Sequence, residues 1–223
     1  MTLDQTFCDS DRKIPAHEIT YGRLRDMILF GQLAPGQPVT IQGLAASLET
    51  GMTPVREAIR RLTAEGALEL RGNRRVTVPT LSPGELDELA FARTAIEPRL
   101  AELAAERLDR GQIREIETID AAINLAIDRG DVHAYLLNNY RFHFAIYAQA
   151  QAPILLSIAQ SLWLRCGPSL RIVCGRYGTS NLPDRHHEAL DAMRDRDAAA
   201  LARALREDIC QGIAQIRAGI AAA

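Results

Sequence analysis

From Glu85 to the end of this chain, apolar residues recur every three or four positions with hardly a break. That spacing matches the repeat of an α-helix and not the two-residue alternation of a half-buried strand. It predicts helices near 85–108, 112–129, 131–150, 153–173, 186–195 and 198–219, with no convincing strand among them. An antiparallel bundle of six or seven helices is the natural way for such a run to bury its apolar faces. Composition agrees: 34 of the 223 residues are Ala and only 5% are aromatic, where a large β-sandwich would want aromatic and β-branched side chains. With 47% hydrophobic and 24% charged residues, disorder, collagen and disulfide scaffolds are excluded, and the length suits two modest domains or one large one.

The first 79 residues read differently. Residues 17–31 predict one helix, stopped at Gly31, and Pro35-Gly36 makes the turn after it. Thr40 can cap a short helix from Ile41 to Leu48. Thr53 then reads as an N-cap with Pro54 at the first helical position, Val55, Ile59 and Leu62 at helical spacing, and Gly66 as the stop. Leu68 to Leu70 and Val76 to Val78 are short strand candidates around a basic tip, Arg71-Gly72-Asn73-Arg74-Arg75. Three helices and a basic hairpin make a winged helix-turn-helix. The expected division is 1–79 for this unit, 80–84 for a linker and 85–223 for the helical bundle.

Net charge is −2, so any nucleic-acid surface must be local. From Gly51 to Pro79 there are six Arg against three Glu, whereas residues 80–223 hold 16 basic and 19 acidic groups. The positive excess falls on the third helix and the hairpin, the parts that meet base edges and phosphates in such a motif. Thr53, Arg56 and Arg60 lie toward the N-terminal end of that helix, with Arg56 and Arg60 one turn apart. Spacing and charge alone also suit a solvated Arg-rich helix on a small core. The bias to Arg over Lys (25 to 1) adds nothing, because it follows as readily from codon usage.

Cys8, Cys166, Cys174 and Cys210 form no C-x-x-C pair, and with no basic-flanked apolar leader in view the expectation is a cytoplasmic chain with reduced thiols. Phe142 to Leu164 runs 23 residues without Lys, Arg, Asp or Glu. His143, Gln149, Gln151, Gln160 and two serines within it are too polar for lipid, so a buried helix pair broken at Pro153 is expected, and no membrane span.

Inside the bundle, polar residues stand out among aliphatic ones. Asn139 and His143 share a helical face, as two ligands of one ion must. Arg93, if inward-facing, needs an anion, which could be Glu97 one turn on or a bound ligand. His143 could equally be a core histidine, and His186 a surface one with His187 able to exchange roles with it. Trp163 and Tyr140 could line a cavity or simply fill the core.

The run Gly31-x-Leu33-x-Pro35-Gly36, then Leu44-Ala45, Thr53-Pro54-Val55-Arg56-Glu57-Ala58-Ile59-Arg60-Arg61-Leu62 and Glu65-Gly66, resembles the N-terminal domain of the GntR family of bacterial transcription regulators. By that resemblance Arg56 is the principal base-reading side chain, Thr53 contacts DNA beside it, and the hairpin tip with Arg74 and Arg75 enters the minor groove. The chain departs from the pattern in three places: Gly51-Met52 replaces the usual Ser-Arg, Gln42 stands where some members place an Arg, and the wing lacks the Gly of Asn-Arg-Gly. Arg93-x-x-Ile96-Glu97, Phe142-His143, His186 with Leu190 and Ala192, and Asp197 resemble the all-helical FCD effector domain of the FadR-type branch. There an Asp and three His hold a metal; the corresponding set here is Asn139, His143, His186 and Asp208, which could still hold Zn²⁺, Ni²⁺ or Mn²⁺. The resemblance further implies a homodimer on double-stranded operator DNA, with Arg93 gripping a small organic-acid or amino-acid effector. A metal-dependent hydrolase or lyase built on His143, His186 and Asp208 is the opposing class. No His-Glu-x-x-His, Gly-x-Ser-x-Gly or nucleophilic Cys setting supports it.

Overall fold

A computed structural model describes residues 15–71, 75–176 and 184–221. Helix α1 (Ala16–Leu29), α2 (Ile41–Ser47) and α3 (Met52–Ala64) are followed by a hairpin of β2 (Glu69–Arg71) and β3 (Arg75–Thr77). A strand that patterning misses, β1 (Pro38–Val39), pairs antiparallel with β3, giving the order β1-β3-β2. Thr40 caps α2 as expected, accepting from Gly43 N at 3.0 Å. The start of α3 corrects the expectation. Gly51, in extended conformation, is its N-cap, so Thr53 and Pro54 both sit inside the first turn. Proline is harmless there because the first four N–H groups have no intrahelical acceptor anyway.

Six α-helices form the second unit among the described residues: α4 (Pro83–Ala105), α5 (Arg110–Arg129), α6 (Val132–Tyr147), α7 (Pro153–Arg176), α8 (Arg185–Asp195) and α9 (Ala198–Ala221). A 3₁₀ turn at Ala148–Ala150 separates α6 from α7, so the charge-free run is a broken helix pair. No described helix is long and apolar enough to cross a membrane. Ser82 and Glu85 form a reciprocal capping box at the start of α4, and Asp109 and Gln112 do the same for α5.

Two apolar clusters hold the bundle. One lies at its far end, with Leu100, Ile116, Phe142, Ile146, Met193 and Leu201. The other joins the bundle to the winged helix, running from Leu24 and Ile28 of α1 through Trp163 and Leu164 of α7 to Ile213 and Ile216 of α9. The winged-helix unit therefore shares a core with α7.

Candidate functional site

On α3, Val55, Ala58, Ile59 and Leu62 are buried and turn the opposite face outward. Thr53, Arg56 and Arg60 are exposed on it, and Gln42 is exposed on α2. Arg60 makes one exposed ion pair with Glu57 at 3.1 Å, a contact worth little in water. Arg61, counted in the basic excess, is engaged otherwise. Its guanidinium lies 3.6 Å from the Tyr21 ring centroid and pairs with Glu18 and Glu65, each at 3.2 Å. It ties α1 to α3. Arg75 is exposed on β3, while Arg74 lies outside the described residues.

The second site is a cavity of about 290 Å³ within the bundle, lined by Arg93, Asp120, Asn139, Trp163, His186 and Asp208 among others. Arg93 and Glu97, one turn apart on α4, form a fully buried pair, Nε to Oε1 2.6 Å and Nη2 to Oε2 3.2 Å. Glu97 Oε2 also accepts from Tyr147 Oη at 2.8 Å and Trp163 Nε1 at 2.9 Å. With four donors on one carboxylate, this buried charge is satisfied. Burial works against charge on Arg93, and Glu97 outweighs it. Arg93 thus has its internal partner, and its guanidinium still forms part of the cavity wall, 4.5 Å over the Trp163 ring.

The network sets the state of His143. Tyr147 gives its one proton to Glu97, so its oxygen accepts from His143 Nδ1, 3.1 Å away. In the neutral imidazole, Nε2 then carries a lone pair. Nε2 is fully buried and has no hydrogen-bond partner, yet Asp208 Oδ2 lies 3.2 Å from it. A lone pair facing a carboxylate oxygen calls for a proton or a metal cation between them.

His186 has the matching arrangement. Asp120 Oδ1 lies 3.2 Å from its Nδ1, and Nε2 faces Asp208 Oδ1 at 3.8 Å. Its ring stacks on Phe142, centroids 4.0 Å apart. One ligand atom from each of His143, His186 and Asp208 falls within 4.8 Å of the others. Zinc–ligand bonds of about 2.0 Å place tetrahedral neighbours about 3.3 Å apart, so these residues fit a metal ion. Tyr147 on His143 and Asp120 on His186 do what partners of metal-bound imidazoles do, holding Nδ1 so that Nε2 points inward. Burial pushes His143 down despite Asp208 beside it. Burial also works against His186, but Asp120 and Asp208 outweigh it and raise it. Burial would raise Asp208, but the two imidazoles pull it down to about 2.

Asn139 is buried and lines the same cavity on the face that His143 shares. Asp120 and Tyr147 were not foreseen. Tyr147 extends the Asn139–His143 spacing by one more turn, a signal present in the sequence; Asp120 on α5 has no such local mark. His187 is exposed and pairs with Asp191 at 3.5 Å, so it does not exchange with His186. Trp163 lines the cavity; Tyr140 instead stacks on Phe144.

The structure thus joins a winged helix-turn-helix to a helical bundle with a polar cavity. Residues 17–78 match the family model "Bacterial regulatory proteins, gntR family", and residues 88–210 match the FCD domain. The HTH-type transcriptional regulator McbR of Escherichia coli K12 is 30% identical over 86% of this chain and 88% of its own length. A probable D-xylose utilization operon transcriptional repressor of Paenarthrobacter nicotinovorans is 27% identical over 84% of each chain. The solved structure of E. coli McbR/YncC superposes with a TM-score of 0.85 at 28% identity, covering 92% of this chain and 98% of that one. The chain belongs to the gntR family, FadR-like branch: it is a DNA-binding transcription regulator with an effector-binding FCD domain, not an enzyme. These relatives are regulators, and the hydrolase or lyase reading finds no support among them.

Proposed function

We propose that this regulator works in the cytoplasm as a homodimer whose operator affinity is set by a small carboxylate, an organic or amino acid, bound in the bundle cavity beside a divalent metal. The observation that carries the reading is the buried Nε2 of His143 facing Asp208, which lines the cavity together with His186 and Arg93. His143, His186 and Asp208 would hold Zn²⁺, Ni²⁺ or Mn²⁺, with Asn139 a weak or water-mediated fourth partner. When bound, the ion would supply open coordination positions for a carboxylate. Arg93 supplies charge to the same anion from the α4 side, where Glu97 holds its guanidinium. The intended division of labour puts the DNA-binding unit at 1–79, a linker at 80–84 and the effector unit at 85–223. The dimer follows from the two-fold operators that such regulators read. Light scattering at micromolar concentration should give twice the 24.5 kDa of the chain; a monomer with full operator affinity would contradict the dimer.

On the DNA side, Gln42, Thr53, Arg56, Arg60, Arg74 and Arg75 are the residues assigned to the operator. Arg56→Ala should weaken specific binding by ~1–3 kcal/mol and relax selectivity at one position, as loss of a bidentate base contact does. Arg75→Ala should weaken all sequences alike and reduce the salt slope by about one. Fluorescence anisotropy at several salt concentrations separates the two. Parent-like operator affinity in Arg56→Ala would remove α3 from the role of recognition helix. Ligand binding acts by favouring one arrangement of the two winged helices, so that they no longer match both half-sites.

A further inference from the structure

Helix α7 touches both sites. On its cavity side, Trp163 donates to Glu97 and lies under Arg93, and Trp163 and Leu170 form part of the cavity wall. On its other side, the helix meets the ends of two helices of the DNA-binding unit. Arg165 Nε donates to the carbonyl of Glu65, the C-cap of α3, at 3.2 Å. Arg171 Nη1 donates to the carbonyl of Gly31, just past the end of α1, at 2.7 Å. The C-cap carbonyl of Glu65 has no intrahelical donor and carries the negative end of the α3 dipole, so Arg165 meets a matching acceptor; the Gly31 carbonyl belongs to the turn that follows α1.

The backbone is shaped for this approach. Gly31 and Gly66 both take positive φ, +69° and +75°, where they end α1 and α3. A Cβ on Gly31 would lie 3.2 Å from Arg171 Cδ, and one on Gly66 would lie 3.0 Å from Arg165 Cζ. Between the two arginines, a Cβ on Gly167 would stand 3.0 Å from the Leu29 carbonyl oxygen, so α1 and α7 meet backbone to backbone. From Trp163 to Arg171 is a little over two turns of a single helix, roughly 12 Å. Pro168 lies within that stretch and leaves the Leu164 carbonyl without its helical donor, so Arg165 grips α3 before this break in the ladder and Arg171 grips α1 after it.

We propose that Arg165 and Arg171 are positioning residues that clamp the C-terminal ends of α3 and α1 to α7, so that the orientation of the DNA-reading unit follows the wall of the effector cavity. This rests on the regulator reading given above. Contacts between α1 and α6 offer a second route: Arg25 reaches the Tyr140 hydroxyl at 3.3 Å, and Tyr140 packs edge-on against Trp163, centroids 5.7 Å apart. The α7 arginines differ in holding the backbone ends of α1 and α3 directly.

Trp163 is the chain's single tryptophan, so its emission reports the cavity wall directly. The test uses the full chain and an operator duplex selected in vitro from a randomised pool. In the parent, operator titration should shift Trp163 emission, because coupling between two sites is reciprocal. Arg165→Ala with Arg171→Ala should still bind the operator within about tenfold of the parent, with the emission response cut about fivefold or more, the lower end of typical allosteric coupling. Arg165→Lys with Arg171→Lys should restore it, since an ammonium still donates to a carbonyl; a merely structural role would show instead as a uniform loss of stability. If the double alanine variant does not fold, Arg171→Gln alone is read in the same way. A parent-like response in the alanine variant, or a silent Trp163 in a parent saturated with operator, overturns the clamp. A flat Zn²⁺ titration of the same emission would discard the metal while the operator response still decides the clamp.

Discussion

Glu97→Ala is expected to destabilise the chain by ~3–5 kcal/mol, measured by urea unfolding at constant m-value, because it strands a buried guanidinium. Two other groups lose their acceptor at the same time, Tyr147 and Trp163. The pair itself need not be net stabilising. Arg93→Met with Glu97→Leu should recover most of the loss, since a well-packed apolar pair of similar volume often equals a buried ion pair. That double variant should nonetheless fail to respond to a carboxylate. A stable but ligand-blind protein would show that the pair serves recognition. Glu97→Ala at parental stability would mean that Arg93 has an acceptor other than Glu97.

The second large effect concerns metal. Elemental analysis of chain purified without chelator should find about one divalent ion per parent chain and essentially none in His143→Ala, because removing one of three strong ligands costs more than the 10–100-fold typical of their outer partners. Asp120→Asn should show that smaller, outer-partner loss. Equal, near-zero metal in parent and His143→Ala would leave an anion pocket built on Arg93 alone. Affinity should also depend on pH. His186 is raised above its ordinary 6.5 by Asp120 and Asp208, so in metal-free chain its pairing stabilises the fold fully below 6.5 and less as pH rises through the raised value. Metal competes with that proton, so affinity should climb over the same interval. Asp208, held down to about 2, contributes stability above its ordinary 3.8 that is lost as pH falls toward 2.

Much of the architecture was legible because it is periodic. Six bundle helices could be drawn from apolar spacing and capping residues such as Ser82. The two-residue strand β1 could not, since Pro38-Val39 is too short to alternate and is a strand only because Thr77 and Val76 lie beside it. The start of α3 was misplaced for a related reason. Thr53 and Pro54 are good at several positions of a first turn, and only the extended Gly51 says which. At the cavity, residues on one helix face were visible as such, and Asp208 entered through family resemblance. Asp120 was invisible, because nothing local distinguishes an Asp on α5 that meets His186 of α8 from one that meets water. Arg93 was foreseen as needing an anion. That it finds one in Glu97 while bordering the cavity is a matter of packing.

Control of the winged helix by the bundle cavity is the property on which the proposed regulation depends. Its most direct test is the operator affinity of the parent and of His143→Ala, each measured in chelator, with Zn²⁺, Ni²⁺ or Mn²⁺, and with each metal plus a panel of small organic and amino acids. At least one metal–carboxylate combination should change the parent's Kd about fivefold or more, as allosteric ligands typically do, and leave His143→Ala unchanged. If parent and His143→Ala respond identically to every combination, or neither responds to any, the cavity does not govern DNA binding.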